Sequence, residues 1–209
     1  LLHPKVIADL KLREHGLTLV ERPLANFVPL PDGRSLKIGP TVAATQAEVA
    51  KFSARDAERL PDYYAMLERV ADMLRELELK TPPNAGGGVR DALAALAAGK
   101  RLRRLDMPGR RDVLDLFTKS AGQLLDAWFE CDALKTAFGF DAIVGNFASP
   151  YTPGSGYVLL HHVFGEVNGR KGAWGHAVGG MGAITQAMAA EARARRRDHH
   201  RRRSRSRFG

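Results

Sequence analysis

Apolar residues recur at three- and four-residue steps along most of this chain and alternate with polar ones in only a few short stretches, which predicts a helix-rich fold with a small β component. Between Pro61 and Leu77 one stripe comprises Tyr64, Leu67, Val70, Ala71, Leu74 and Leu77, with glutamates and arginines on the opposite face. Thr45 and Ser53 are candidate caps of short helices ahead of it, Asp56 standing three residues after Ser53 as a capping box requires. Pro61 then predicts the first turn of a separate helix. From Arg111 to Phe129, Val113, Leu114, Phe117, Ala121, Leu124, Leu125 and Trp128 mark a single broad stripe and the clearest helix of all. Asp132 to Phe138 predicts a second, shorter helix after it. Further helices are expected over 4–15, stopped by a left-handed cap at Gly16, over Ala92–Ala98, from Ser155 or Gly156 to Phe164, and from Gly182 to about Ala194.

The β component is local. Asn26–Leu30 and Arg34–Ile38 flank Pro31-Asp32-Gly33, and Asp-Gly between alternating apolar residues predicts a hairpin. Pro29 confines its strand to an edge. Leu17–Val20 reads as a strand, Lys171–Ala177 as extended, and Asn168-Gly169 as a turn. Thr81 to Gly88, with two prolines before three glycines, is a connector that lacks the lysine and hydroxyl of a phosphate loop.

Charge changes the picture only at one end. The chain has 32 Lys+Arg against 23 Asp+Glu, but nine of those arginines and one aspartate fall in 193–209, so that tail carries +8 and the remainder +1. Such a run predicts disorder. It also suits sequence-blind phosphate binding, although no aromatic residues interleave it for base stacking. Its abrupt break from an Ala/Met helix equally suits a frameshift in a GC-rich gene. A single cysteine, Cys131, excludes an internal disulfide and any multi-cysteine metal site. No signal peptide and no apolar run of membrane-spanning length are present, and a cytoplasmic place is expected. The first residue, Leu1, reads as though the chain begins inside a longer protein.

The chemistry concentrates between Gly154 and Ala190. There an apolar segment leads to Trp174 and then to Gly179, Gly180, Met181 and Gly182, which open directly into a helix. Glycines at a helix start let another molecule approach the backbone, and the first free N–H groups favour an electron-rich ring or a phosphate. The same pattern also describes a tight turn packed on a neighbour. His161 and His162, adjacent in a helix, face different ways and cannot share a metal; a hydrogen-bonded structural histidine is the plainer reading of either. No metal site is expected. Ser155 lies in Gly-Ser-Gly, not in the Gly-x-Ser-x-Gly of a nucleophile elbow. No Gly-x-Gly-x-x-Gly loop occurs, and no catalytic acid–base pair can be assigned.

Four blocks in order, Lys51 to Glu58, Leu124 to Glu130, Gly154 to His162 and Gly172 to Gly182, resemble the phytoene-desaturase-like FAD-dependent oxidoreductases, and within them the pyridine nucleotide-disulphide oxidoreductase domain-containing protein 2 group. The resemblance covers about residues 1–192 and corresponds to the middle of longer proteins. It implies an incomplete α+β domain: the helix-rich, substrate-facing region of an FAD/NAD(P)-binding, amine-oxidase-like fold over 1–178 with its hairpin near 26–38, a glycine-led helix returning to the FAD domain over 179–192, and the arginine-rich tail over 193–209. The parent enzyme would pass a hydride from a C–H bond of an apolar or amine-like substrate to FAD. Gly179, Gly180, Met181 and Gly182 would lie beside the flavin, while Trp174, His161, His162 and Phe164 would wall the substrate space. The isolated piece, lacking flanking FAD-domain segments, would be inactive. Two other readings stand beside this one: a nucleic-acid-binding protein acting through its arginines, and a non-enzymatic helical interaction module.

Overall fold

In this computed structural model the described residues are 2–84 and 86–205, excepting the side chains of His162 and of 198–205. In chain order the elements are α1 (Pro4–Asp9), β1 (Leu19–Glu21), β2 (Asn26–Pro29), β3 (Ser35–Ile38), α2 (Val42–Val49), α3 (Ala54–Arg75), α4 (Val89–Leu102), α5 (Met107–Thr118), α6 (Ala121–Trp128) and α7 (Asp132–Asp141). A 3-10 turn (Gly156–Leu160) leads into α8 (His161–Phe164), followed by β4 (Glu166–Val167), β5 (Arg170–Lys171), β6 (Gly175–Ala177) and α9 (Met181–Arg205). The described residues form an α+β arrangement in which three sheets, each an antiparallel pair, join β1 with β6, β2 with β3, and β4 with β5.

The chain divides into two compact units, one from Leu24 to Phe164 and one made of the segments before and after it.

The larger unit is built on α3. Ser53 Oγ accepts from the Asp56 amide at 3.1 Å and fixes the start of the helix. Pro61 does not begin a new helix; it lies inside this 22-residue one. A proline there leaves the carbonyl four residues back without its helical donor. That carbonyl belongs to Ala57, and Gln46 Nε2 donates to it at 2.8 Å, so the continuous helix is satisfied from outside. The buried face comprises Leu60, Tyr63, Met66, Leu67, Val70 and Ala71. Tyr63 is fully buried and stacks on Phe138 at 5.3 Å, with Phe129 edge-on at 4.9 Å. Asp56 is also fully buried, and its carboxylate accepts from the amides of Glu130 and Cys131 at 2.7 to 3.1 Å. One acid thus ties α3 to the joint between α6 and α7.

The predicted helix over Arg111–Phe129 is in fact two. Lys119 turns extended, and Ser120 with Gln123 forms a capping box that starts α6 afresh. Leu114 and Phe117, expected inside, are 63% and 46% exposed, because the break rotates the inward face onto Leu116, Leu124 and Leu125. The hairpin over 26–38 forms as expected, with Asn26 opposite Ile38 and Gly33 at φ +82° in the turn.

The smaller unit joins distant sequence. Leu19 pairs with Ala177 and Glu21 with Gly175. Ala187, with Ile184 and Met188, packs on Leu12, Leu17, Ile7 and Leu10. Glu191, 6% exposed, accepts from His15 Nε2 at 2.8 Å and from Arg195 Nε at 2.7 Å. Helix α9 does not end near Ala194, and the disorder expected from Arg193 is not seen as far as Arg205. Alanine and arginine are strong helix formers, and neither glycine nor proline interrupts them there. Residues 206–209 of the expected tail lie outside the described residues.

Candidate functional site at the start of helix α9

Strand β6, held by β1, delivers the chain to the glycines. The Val178 amide donates to Thr18 O at 2.9 Å, and the Gly180 amide closes a turn onto Ala177 O at 2.9 Å. Gly179 and Gly180 sit at φ +82° and +78°, the left-handed region where a side chain is strained. Val178 and Met181 are 57% and 78% exposed, and both glycines between them are exposed. A Cβ at Gly180 or Gly182 would meet nothing within 4 Å, and one at Gly179 would meet only the Ala183 Cβ at 3.5 Å. Among the described residues no acceptor meets the amides of Met181 and Gly182, and the first turn of α9 holds no acid. The main chain here is bare, and its partial positive charge faces outward. Such an arrangement accepts an anion or an electron-rich ring.

Trp174, half-buried, belongs to the same unit. Its carbonyl accepts from the Arg22 amide at 2.9 Å, and the Arg22 guanidinium lies 5.7 Å from the centre of its ring. Arg22 Nε donates to His176 Nε2 at 2.7 Å, which places the His176 ring proton on Nδ1.

His161, His162 and Phe164 belong to the larger unit, so the expected set is not gathered within one unit. His161 is half-buried, and that burial lowers its pKa below the usual 6.5 against an opposing pull from Asp141. The His162 side chain lies outside the described residues. Phe164 packs against the core under the Arg75 guanidinium, 5.6 Å from the ring centre. Arg75 in turn is held by Glu68 at 2.8 Å, by Asp72 at 2.6 Å and by the Val163 carbonyl.

Sequence patterning missed the polar groups buried within the larger unit. Asp141, 4% exposed, accepts from Asn26 Nδ2 at 2.6 Å. Burial, with lesser contributions from Tyr64 and Asp141, holds the Tyr63 phenol well above its ordinary range, and burial with Asp141 does the same to Tyr64. The Tyr63 hydroxyl has no hydrogen-bond partner among the described residues. Adjacent tyrosines and one aspartate 77 residues later give no periodic signal that would announce this. Cys131 is half-buried at the cap of α7. Among the described residues no group of His, Cys, Asp or Glu is placed to hold a metal ion, and no helix is long and apolar enough to cross a membrane.

No family model matches the chain. The chain is similar to pyridine nucleotide-disulfide oxidoreductase domain-containing protein 2. The protein of that name from Rattus norvegicus is 37% identical over 211 residues, which is 93% of this chain and 36% of the relative. The one from Mus musculus is 37% identical over 212 residues, again 93% of this chain and 36% of the relative. An uncharacterized protein of Mycobacterium tuberculosis is 28% identical over 201 residues, 92% of this chain and 34% of that protein. The chain thus spans about a third of the length of the curated relatives it matches. The likeness covers 93% of the chain and so runs through both compact units.

Proposed function

We propose that this chain is the central piece of an FAD-dependent, phytoene-dehydrogenase-like oxidoreductase. The observation that supports it most is the bare main chain from Gly179 to Gly182, in a chain similar to proteins named as oxidoreductases. The residues present fit a flavin on one count: side chains at Gly180 and Gly182 would fill open space that a planar ring needs. When bound, FAD supplies the hydride acceptor for a C–H bond of an apolar or amine-like substrate.

This chain's own residues then have limited tasks. The turn closed by Gly180 onto Ala177 orients the start of α9. The free amides of Met181 and Gly182 stabilise negative charge placed before them. Trp174, fixed by Arg22, offers an apolar wall in the same unit. His161, which burial biases toward its neutral form, can line an apolar substrate space without importing a charge.

The test uses a polypeptide extended at both ends to the length of the relatives. It should retain flavin through purification. Gly180→Val should lose that flavin, while Gly33→Val, equally strained in a hairpin turn of the larger unit, should keep it. Equal flavin content in the two variants, or a folded extended protein without flavin, rejects the reading.

A further inference from the structure

Helix α4 raises a question of its own that does not depend on the flavin reading. It buries no residue, and no other described element packs broadly against it. Yet Val89, Leu93 and Leu96, at four- and three-residue steps along one face, are 77%, 60% and 70% exposed. A helix in water turns such a stripe inward. Cations follow at its end: Lys100, Arg103 and Arg104 line the same groove as Ala92, Leu96 and Gly99. Arg101 and Arg104 face Glu76 at 3.2 and 3.9 Å, whereas Lys100 and Arg103 are paired with no carboxylate among the described residues. The proline- and glycine-rich stretch from Thr81 to Gly88 precedes the helix and imposes no helical register on it.

We propose that α4 docks on an anionic lipid surface. It would lie in the interface plane, with Val89, Leu93 and Leu96 in the acyl boundary and Lys100 and Arg103 on the headgroup phosphates. Its 14 residues are too short to span a bilayer, at ~1.5 Å per residue against ~30 Å of hydrocarbon. Charge decides against a second copy. Residues 89–104 hold five cations, Arg90, Lys100, Arg101, Arg103 and Arg104, against one acid, Asp91, and Glu76 alone offsets Arg101 and Arg104 from outside, so two such helices would set like charges together. Aliphatic side chains beside long cations that reach outward are also the composition that suits a headgroup boundary.

The arginines of α9 will also attract anionic vesicles, so the readout must sit on α4. The whole chain carrying Leu96→Cys in a Cys131→Ser background is spin-labelled and mixed with phosphatidylcholine/phosphatidylglycerol vesicles or with phosphatidylcholine alone. On the mixed vesicles the label should gain accessibility to oxygen and lose it to a water-soluble nickel chelate. Val89→Ser with Leu93→Ser should weaken partitioning about tenfold. Lys100→Gln with Arg103→Gln should weaken it about tenfold on anionic vesicles only. A label that stays equally open to water while the chain sediments with vesicles overturns the proposal and assigns binding to the arginines of α9. Self-association abolished by the Val89/Leu93 change, without any change in label depth, overturns it in favour of a second copy.

Discussion

Two helix starts in this chain are built in opposite ways. That of α3 is closed: Ser53 caps it, Asp56 sits in its first turn, and the same buried carboxylate serves two further amides. That of α9 is open: glycines flank Met181, no acid occupies the first turn, and the first amides meet no acceptor among the described residues. The chain caps α2, α5 and α6 with side chains as well, so the means of closing a helix are used freely elsewhere. A bare start costs free energy that a serine or aspartate would recover, about 1 kcal/mol. The difference teaches that exposure at α9 is a local feature of that turn and not a general looseness of the fold.

The comparison can be broken most forcefully at the closed end. Asp56→Ala removes the acceptor of the Glu130 and Cys131 amides inside the core, and should cost about 3 kcal/mol in urea unfolding. A loss below ~1 kcal/mol would mean that the buried carboxylate is no anchor. Gln46→Ala leaves the Ala57 carbonyl without a donor beside Pro61 and should cost about 1–2 kcal/mol by the same measurement. At the open end the sign reverses. Gly182→Glu replaces a poor helix former and places an acid at the amides, which should stabilise the smaller unit by about 1 kcal/mol. In the extended protein the same change should expel flavin, so a gain in stability with flavin retained would separate the bare turn from the cofactor.

The gentlest probe is pH. Hydrogen bonds first from His15 and then from Arg195 hold the Glu191 carboxyl below its usual 4.5. A depressed acid stabilises the fold above its unfolded pKa, and that contribution fades as pH falls through the lower folded value. Thermal stability should therefore fall below about pH 4.5 more steeply in the parent than in Glu191→Gln. Parallel curves for the two would show that this cluster does not couple to folding.

How much of this was legible in the sequence depended on distance along the chain. The hairpin at 26–38 could be read because Asp32-Gly33 specifies its own turn. The bare glycines could be read as unencumbered backbone, since no side chain is needed to predict one. The break at Ser120 escaped because the apolar stripe runs on past it, and a serine in a helix is not by itself a stop. The continuity through Pro61 escaped because the compensating donor, Gln46, lies on another helix. Tyr63 escaped because the stripe was phased on its neighbour, and only the packing of Phe129 and Phe138 reveals which ring is central. The exposure of α4 escaped because a helix expected over Ala92–Ala98 carries no signal of whether another element lies there to cover it.

The pairing of Leu19 with Ala177 has a consequence for synthesis. The smaller unit is interrupted by everything from Leu24 to Phe164, so its opening segment leaves the ribosome with no partner strand. That segment must wait for well over a hundred further residues, while the inserted unit already has its whole sequence available for collapse. Leu12 and Leu17, buried in the finished unit, stay uncovered for that interval, which leaves the stretch open to a chaperone.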